Sequence, residues 1–212
     1  MQPIILIPCK PLAEGKSRLG TLLSGKERVS LCRQFLLDTL ALACAVTEPG
    51  DIRVVSSDPE AVRLAADFGV RGADDPDGDL NSALVRTVER IVLPDSPDER
   101  RNLLILPIDL VLATPPKLTR VLACTGDLVL TPDRAGRGTN LLRMAVRNAR
   151  AFRFRYGEDS ASRHLAEARR LGLHAQVLRD PELELDVDTP ADHAAWLASG
   201  AAGNSPMLPV SR

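Results

Sequence analysis

The sequence predicts an α/β fold, a Rossmann-like three-layer sandwich with a mostly parallel central sheet. Three observations carry that prediction. Short apolar runs of strand length alternate with amphipathic segments of helix length almost from end to end. A capping residue or a first-turn proline stands ahead of most of the amphipathic segments. No internal repeat and no linker-like stretch divides the 212 residues, so residues 1–199 read as one domain and 200–212 as a frayed tail.

The elements follow in chain order. Ile4–Ile7 reads as a buried strand. Ser24 and Glu27 make a capping box for a helix whose core face carries Val29, Cys32, Phe35, Leu36, Leu40 and Ala43. Ile52–Val55 is a second strand, and Asp58-Pro59 opens a helix ending near Gly69. Asp79 caps a helix with Leu80, Leu84, Thr87, Val88 and Ile91 on one side. Leu103–Leu106 is the most apolar strand and the least suited to an edge. Thr114-Pro115-Pro116 starts the next helix, and Leu128–Leu130 returns as a strand. Residues 131–160 are less regular, punctuated by Gly136, Gly138 and Gly157. Ser160 can cap a helix through Arg170, Ala175–Leu178 and Leu183–Val187 read as strands, and Thr189 with Asp192 forms a capping box for a helix to about Ser199.

Composition narrows the function. A chain of 22.9 kDa buries about 70% of the surface its unfolded form exposes, so it needs no disulfide or metal staple. Cys9, Cys32, Cys44 and Cys124 form no CxxC pair and read as reduced small hydrophobes. A net charge of −1 and 3% aromatic content argue against a nucleic-acid binder. No run has the length of a signal peptide core or a membrane span, which points to a cytoplasmic protein with no membrane partner. Only four of the 27 cationic residues are lysines: Lys10, Lys16, Lys26 and Lys117.

In an open α/β sheet, ligands sit beyond the carboxyl ends of the strands. The loop after the first strand holds Lys10, Lys16 and Arg18. It is not a P-loop, because that motif needs glycine where Lys10 stands, and Pro11 removes an N–H. It is either a cationic loop gripping phosphates or a solvated turn, and two of four lysines falling here favour phosphate. Asp186 and Asp188 end the alternating run 182–188, and Asp109 follows Leu103–Leu106. This pattern is either an edge strand with a charged wet face or a carboxylate cluster. Three converging carboxylates repel one another, and Mg²⁺ relieves the repulsion while bridging substrate phosphates, which favours the metal reading. Asp74, Asp75, Asp77 and Asp79 do not make a calcium loop, since Leu80 and Arg86 stand where glycine and glutamate are needed. Seven arginines and no acid lie between Arg134 and Arg155, either a solvated face or a pocket for an acidic substrate. His164 reads as packing on its helix, and His174 and His193 have no assigned role.

Pro8-x-Lys10-Pro11-x4-Lys16-Ser17-Arg18-Leu19, Asp109-Leu110, Gly138-Thr139-Asn140, Gly157-x2-Ser160 and Leu185-Asp186-Val187-Asp188-Thr189-Pro190 run in the order of a known family. Over about residues 3–198 the sequence resembles the 2-phospho-L-lactate/phosphoenolpyruvate guanylyltransferases of deazaflavin coenzyme biosynthesis. The resemblance implies a nucleotidyltransferase fold of the GT-A-like type, related to molybdopterin guanylyltransferase. It implies transfer of GMP from GTP to a small phosphorylated three-carbon acid, with release of pyrophosphate. Carried over by position, Asp109, Asp186 and Asp188 hold Mg²⁺. Lys10, Lys16 and Arg18 meet the GTP phosphates, with Lys16, Arg18 and Asp109 catalytic. Asn81 lies along the nucleoside, and Thr139, Gly157 and Ser160 contact the acceptor. A homodimer is also implied. Val111 stands after Asp109-Leu110 where relatives usually carry proline, and the stretch between Thr139 and Gly157 is longer and more basic than usual. Two other functions are compatible with the residues: a nucleotidyltransferase of the same fold with a sugar phosphate or molybdenum cofactor as acceptor, and a non-catalytic nucleotide-sensing protein.

Overall fold

The computed structural model of the chain describes residues 2–74, 79–91 and 100–201. Its strands are β1 (Ile4–Pro8), β2 (Ile52–Ser56), β3 (Arg71–Asp74), β4 (Asn102–Ile105), β5 (Leu128–Pro132), β6 (Thr139–Ala145) and β7 (Ala175–Val177). They form a seven-stranded sheet in the order β3-β2-β1-β4-β6-β5-β7. The helices are α1 (Gly25–Cys44), α2 (Pro59–Asp67), α3 (Leu80–Ile91), α4 (Pro115–Ala123), α5 (Val146–Ala151), α6 (Ser160–Arg170) and α7 (Pro190–Ala198). Among the described residues no helix is long and apolar enough to cross a membrane.

Period-two alternation sorts the strand side chains between two cores. Ile5, Ile7, Leu104 and Val129 meet α1, α2 and α4 on one face. Ile4, Leu6, Leu103, Ile105, Leu128 and Leu130 meet α3, α5 and α6 on the other. A mostly parallel sheet covered on both faces is the predicted three-layer sandwich, and β4 takes the central place expected of the most apolar run. Local signals set the helix starts. Both capping boxes form, Ser24 with Glu27 and Thr189 with Asp192. Asp58 Oδ1 accepts from Glu60 N at 2.8 Å, and Asp79 Oδ2 accepts from Ser82 N at 3.0 Å.

Three expectations are corrected. Residues 131–160 hold a strand and a helix, β6 and α5, and β6 runs antiparallel to both β4 and β5. Its polar residues hide the strand in the sequence. Arg143 is buried, and its guanidinium caps the end of α4 by donating to Gly126 O at 2.7 Å, to Leu122 O at 3.1 Å and to Cys124 O. Leu183–Val187 is not a strand, although Leu183, Leu185 and Val187 are buried as the alternation requires. Turn bonds hold its backbone: Leu183 N donates to Asp180 Oδ1, Glu184 N to Asp180 O, and Asp188 N to Asp186 O. Nor do the four acids of this segment share a wet face, because Glu184 is buried and accepts two bonds from Arg179, at 2.7 and 2.8 Å. Ser160 is the first helical residue of α6 rather than its cap. Asp159 holds the cap position with φ 50° and ψ 33°, not the extended backbone from which a cap side chain reaches the first N–H groups, and it makes no side-chain cap bond. Asp75, Asp77 and the tail from residue 202 onward lie outside the described residues.

Candidate active site

The loop leaving β1 is docked before it reaches its lysine. Leu12 N donates to Asp58 Oδ2 at 2.8 Å, and Arg28 Nη1 donates to Gly15 O at 3.2 Å. A Cβ on Gly15 would stand 2.5 Å from Cys32 Sγ on α1, so glycine serves close packing here rather than a phosphate cradle. Lys16 follows with φ 55° and ψ 37°, a left-handed backbone that strains a residue with a Cβ by about 1 kcal/mol. Such strain collects at ligand sites. Here it turns the ammonium inward. Lys16 Nζ donates to Asp109 Oδ2 at 2.6 Å and to Asp188 Oδ1 at 2.7 Å, with its side chain 6% exposed.

Asp109 lies just past the carboxyl end of β4. Asp186 and Asp188 reach it because Leu185 and Val187 are sunk into a satellite core with Leu19, Leu31, Phe35 and Trp196, and because Val187 N donates to Asp109 O at 3.2 Å. The three carboxylates each offer an oxygen within 4.8 Å of the others. Burial alone would lower the Lys16 pKa, but the charges and hydrogen bonds of Asp109 and Asp188 overcome it and hold Lys16 above its ordinary value. Asp186 has no such partner. Burial, then the charges of Asp109 and Asp188, push its pKa up to about 6. One ammonium therefore does not balance the cluster, and an all-oxygen, net anionic donor set fits a hard divalent cation. Asp109, Asp186 and Asp188 are the residues that could hold one.

A second corner abuts the first. Thr131 pairs with Leu141 while Pro132 pairs with Thr139, leaving Asn140 as the extra residue of a β-bulge. Bulges beside active sites re-aim side chains. Asn140 Nδ2 donates to Leu183 O at 3.0 Å and to Asp186 Oδ1 at 3.4 Å, whereas Thr139 Oγ1 meets His164 Nδ1 at 3.0 Å. The hairpin before Thr139 closes on Asp133, and Arg137 O accepts from Ala161 N at 2.9 Å, docking the hairpin on the start of α6. Ser160 N donates to Gly157 O at 3.3 Å. Thr139, Gly157 and Ser160 thus gather at one corner, with Gly157 exposed and the Thr139 and Ser160 side chains buried.

The remaining predicted residues divide. Lys10 and Arg18 are exposed on the loop around Lys16. Asn81, in the first turn of α3, spends both ends of its amide on one backbone: Nδ2 donates to Tyr156 O at 3.1 Å and Oδ1 accepts from Tyr156 N at 2.7 Å. It therefore holds the 155–157 segment in place. The basic stretch is split, since Arg143 is a buried helix cap and the other six arginines are exposed. Sequence reasoning gave Asn140 no role of its own. His164 is packed, as the sequence implied: it is fully buried on α6, and it is also hydrogen-bonded through both ring nitrogens, which its lone place in the sequence does not show.

The sheet order, with Asp109 beyond the end of the central strand and Lys16 brought back from the first loop, is carried on the fold that solved nucleotidyltransferases share. The fold is similar to that of a nucleotidyl transferase from Methanothermobacter thermautotroptrophicus, with a TM-score of 0.63 at 15% identity, covering 95% of this chain and 99% of that one. The chain belongs to the CofC-like guanylyl transferase family, whose family model matches residues 3–205. It is 36% identical over 193 residues to a phosphoenolpyruvate guanylyltransferase of Roseiflexus castenholzii, covering 91% of this chain and 86% of the relative. It is 33% identical over 209 residues to a 2-phospho-L-lactate guanylyltransferase of Methanoregula boonei, covering 98% and 88%.

Proposed function

We propose that this protein transfers GMP from GTP to a small phosphorylated three-carbon acid, phosphoenolpyruvate, 2-phospho-L-lactate or a phosphoglycerate, and releases pyrophosphate. The observation that carries the reading is the Lys16 ammonium held between Asp109 and Asp188, beside an unbalanced Asp186, at the end of the central strand. Relatives named for two of these acids supply the substrate class.

The acceptor phosphate is anionic at neutral pH, so the reaction needs no general base. An acceptor oxygen forms a bond to the α-phosphorus of GTP, the bond to the bridging oxygen breaks, and its electron pair leaves with pyrophosphate. The obstacle is repulsion between two anions, and positioned positive charge removes it. Asp109, Asp186 and Asp188 would hold Mg²⁺, which would supply positive charge to offset that of the substrate phosphates. Lys16 adds a cation fixed at the point where the substrates meet, and Arg18 and Lys10 face the phosphate chain from the loop rim. Thr139, Ser160 and the backbone at Gly157 take the acid. Asn81 fixes the segment that carries Gly157 and flanks the nucleoside. The protein acts as a homodimer in the cytoplasm, within deazaflavin coenzyme biosynthesis.

The test incubates pure protein with GTP, MgCl₂ and each acid in turn, and identifies products by mass. A guanylated acid and pyrophosphate are expected from at least one acid, and only with MgCl₂ present. Turnover with none of them, or equal turnover in EDTA, overturns the corresponding part of the reading. Sedimentation of the same sample tests the dimer.

A further inference from the structure

We infer that His164 is a positioning residue that fixes the polarity of the Thr139 hydroxyl, so that its proton is offered to the phosphorylated acid. The inference rests on the guanylyl-transfer reading for the identity of that acid, but its geometry stands on hydrogen bonds alone. Arg155 N lies 2.9 Å from His164 Nε2. A backbone N–H can only donate, so Nε2 must be the unprotonated, accepting nitrogen. In a neutral imidazole the ring proton is then on Nδ1, and Nδ1 faces Thr139 Oγ1 at 3.0 Å. Thr139 Oγ1 must accept that proton. Its own hydroxyl hydrogen is left to point elsewhere.

The alternative tautomer would reverse the relay. With the proton on Nε2, the ring would oppose the Arg155 N–H, and the Thr139 hydroxyl would donate to Nδ1. Only oxygen lone pairs would then face an incoming phosphate or carboxylate, and these repel it. The imidazolium is disfavoured for the same reason, since it too carries a proton on Nε2. Burial supports the neutral ring: His164 has no exposed surface and packs between Phe152 and Tyr156, with ring centroids 5.7 and 4.8 Å away. Desolvation pushes its pKa down to about 4 against the opposing charge of Glu167.

The relay also explains why Tyr156 is clamped so firmly. Asn81 holds Tyr156 at both backbone atoms, which fixes the neighbouring Arg155 N–H that sets the histidine tautomer. An amide in α3 thereby reaches a hydroxyl at the start of β6 through one backbone and one imidazole. Hydrogen bonds from a neutral donor to an anion are about twice as strong as neutral pairs, so the direction of one hydroxyl is worth about a tenfold change in acceptor binding.

Two measurements test the inference. Nitrogen–proton correlation of the labelled, unmutated protein reports the ring tautomer directly. The Nδ1–H tautomer at His164 is expected from pH 8 to pH 5.5; an Nε2–H tautomer or an imidazolium at pH 6 overturns the inference. The second is kinetic. His164→Gln can place a carbonyl oxygen where Nε2 accepts from Arg155 but leaves a CH₂ in place of the Nδ1 donor that faces Thr139. Its KM for the acid should rise about tenfold, with KM for GTP changing less than twofold. Combined with Thr139→Val it should add nothing further, while combined with Thr139→Ser the tenfold effect should remain. Equal rises in both KM values, or additivity with Thr139→Val, would show a merely structural histidine. If His164→Gln does not fold, the tautomer decides alone. Absence of any guanylated acid with unmutated protein sinks the functional reading and leaves the tautomer result as it is.

Discussion

Replacing Lys16 with methionine isolates the ammonium that knots the site together. Methionine keeps the length and apolar stem and meets the same left-handed backbone strain, so the change is confined to charge and hydrogen bonding. Removing one partner from a fully buried ion pair costs about 3–5 kcal/mol. Lys16 and Asp109 are near that limit, with side chains 6% and 20% exposed, but Asp188 at 44% is open to water and its share must be discounted. A loss of about 2–3 kcal/mol follows in metal-free protein, or a Tm fall of about 5–10 °C for a chain of this size. The pH dependence has a definite sign. Lys16 has a raised pKa, so its contribution is complete below its ordinary value of 10.5 and is lost only as pH rises through the higher folded value. Between pH 5 and 9 the unmutated protein should therefore show no transition from this lysine. In the variant, three carboxylates face one another unneutralised. The penalty should be full above pH 7 and shrink at lower pH, where the raised pKa of Asp186 lets that carboxyl take up a proton. Differential scanning fluorimetry in EDTA across that range reads it out. A variant as stable as its parent at pH 8, or one that loses stability on acidification relative to the parent, would refute the reasoning.

Asp109→Asn and Asp188→Asn should each lower transfer at least a hundredfold while circular dichroism stays unchanged; near-normal turnover in either removes it from the machinery. Asp186→Asn should stabilise the metal-free protein by about 2 kcal/mol. Its folded pKa, at about 6, lies above the ordinary 3.8, so the penalty it removes is complete above pH 6 and fades as pH falls towards 4. Thermal melts at pH 8 and pH 4 check this, and the same variant should lose the stabilisation that MgCl₂ gives its parent. Arg143→Met leaves the carbonyls of Leu122, Cys124 and Gly126 without their donor and should cost about 3 kcal/mol, measured by urea unfolding. Asn81→Leu should loosen the 155–157 segment and raise KM for the acid more than KM for GTP; a selective effect on GTP would place Asn81 at the nucleoside instead.

What the chain reveals by reading alone follows the range of the forces involved. Ser24 with Glu27 and Thr189 with Asp192 satisfy N–H groups three residues away, so their helices are visible locally. Leu183, Leu185 and Val187 announce an inward face correctly, but a strand also needs a partner, and this segment spends its N–H groups on Asp180 and Asp109 instead. β6 is hidden because three of its seven residues are polar for reasons that lie elsewhere: Arg143 serves the end of α4, Asn140 serves Asp186 and Thr139 meets His164. In the first loop Lys10, Lys16 and Arg18 are equivalent as letters. Only the left-handed turn and the packing of Gly15 on Cys32 select Lys16 to point inward. His164 looks like any lone histidine until the N–H of Arg155 dictates its tautomer.

The two bonds made by Lys16 span 93 and 172 residues of chain. Thr139, Gly157 and Ser160, by contrast, come from one short stretch and can assemble as soon as their hairpin and helix are made. The carboxylate cluster cannot form until a growing chain has emerged past residue 188, because it joins Lys16 of the first loop to Asp109 in mid-chain and to Asp186 and Asp188 much further on. The ion-pair cluster is thereby a readout of completed synthesis and folding: a truncated chain or a partly opened one forfeits it in a single step, even where the corner of Thr139, Gly157 and Ser160 is intact.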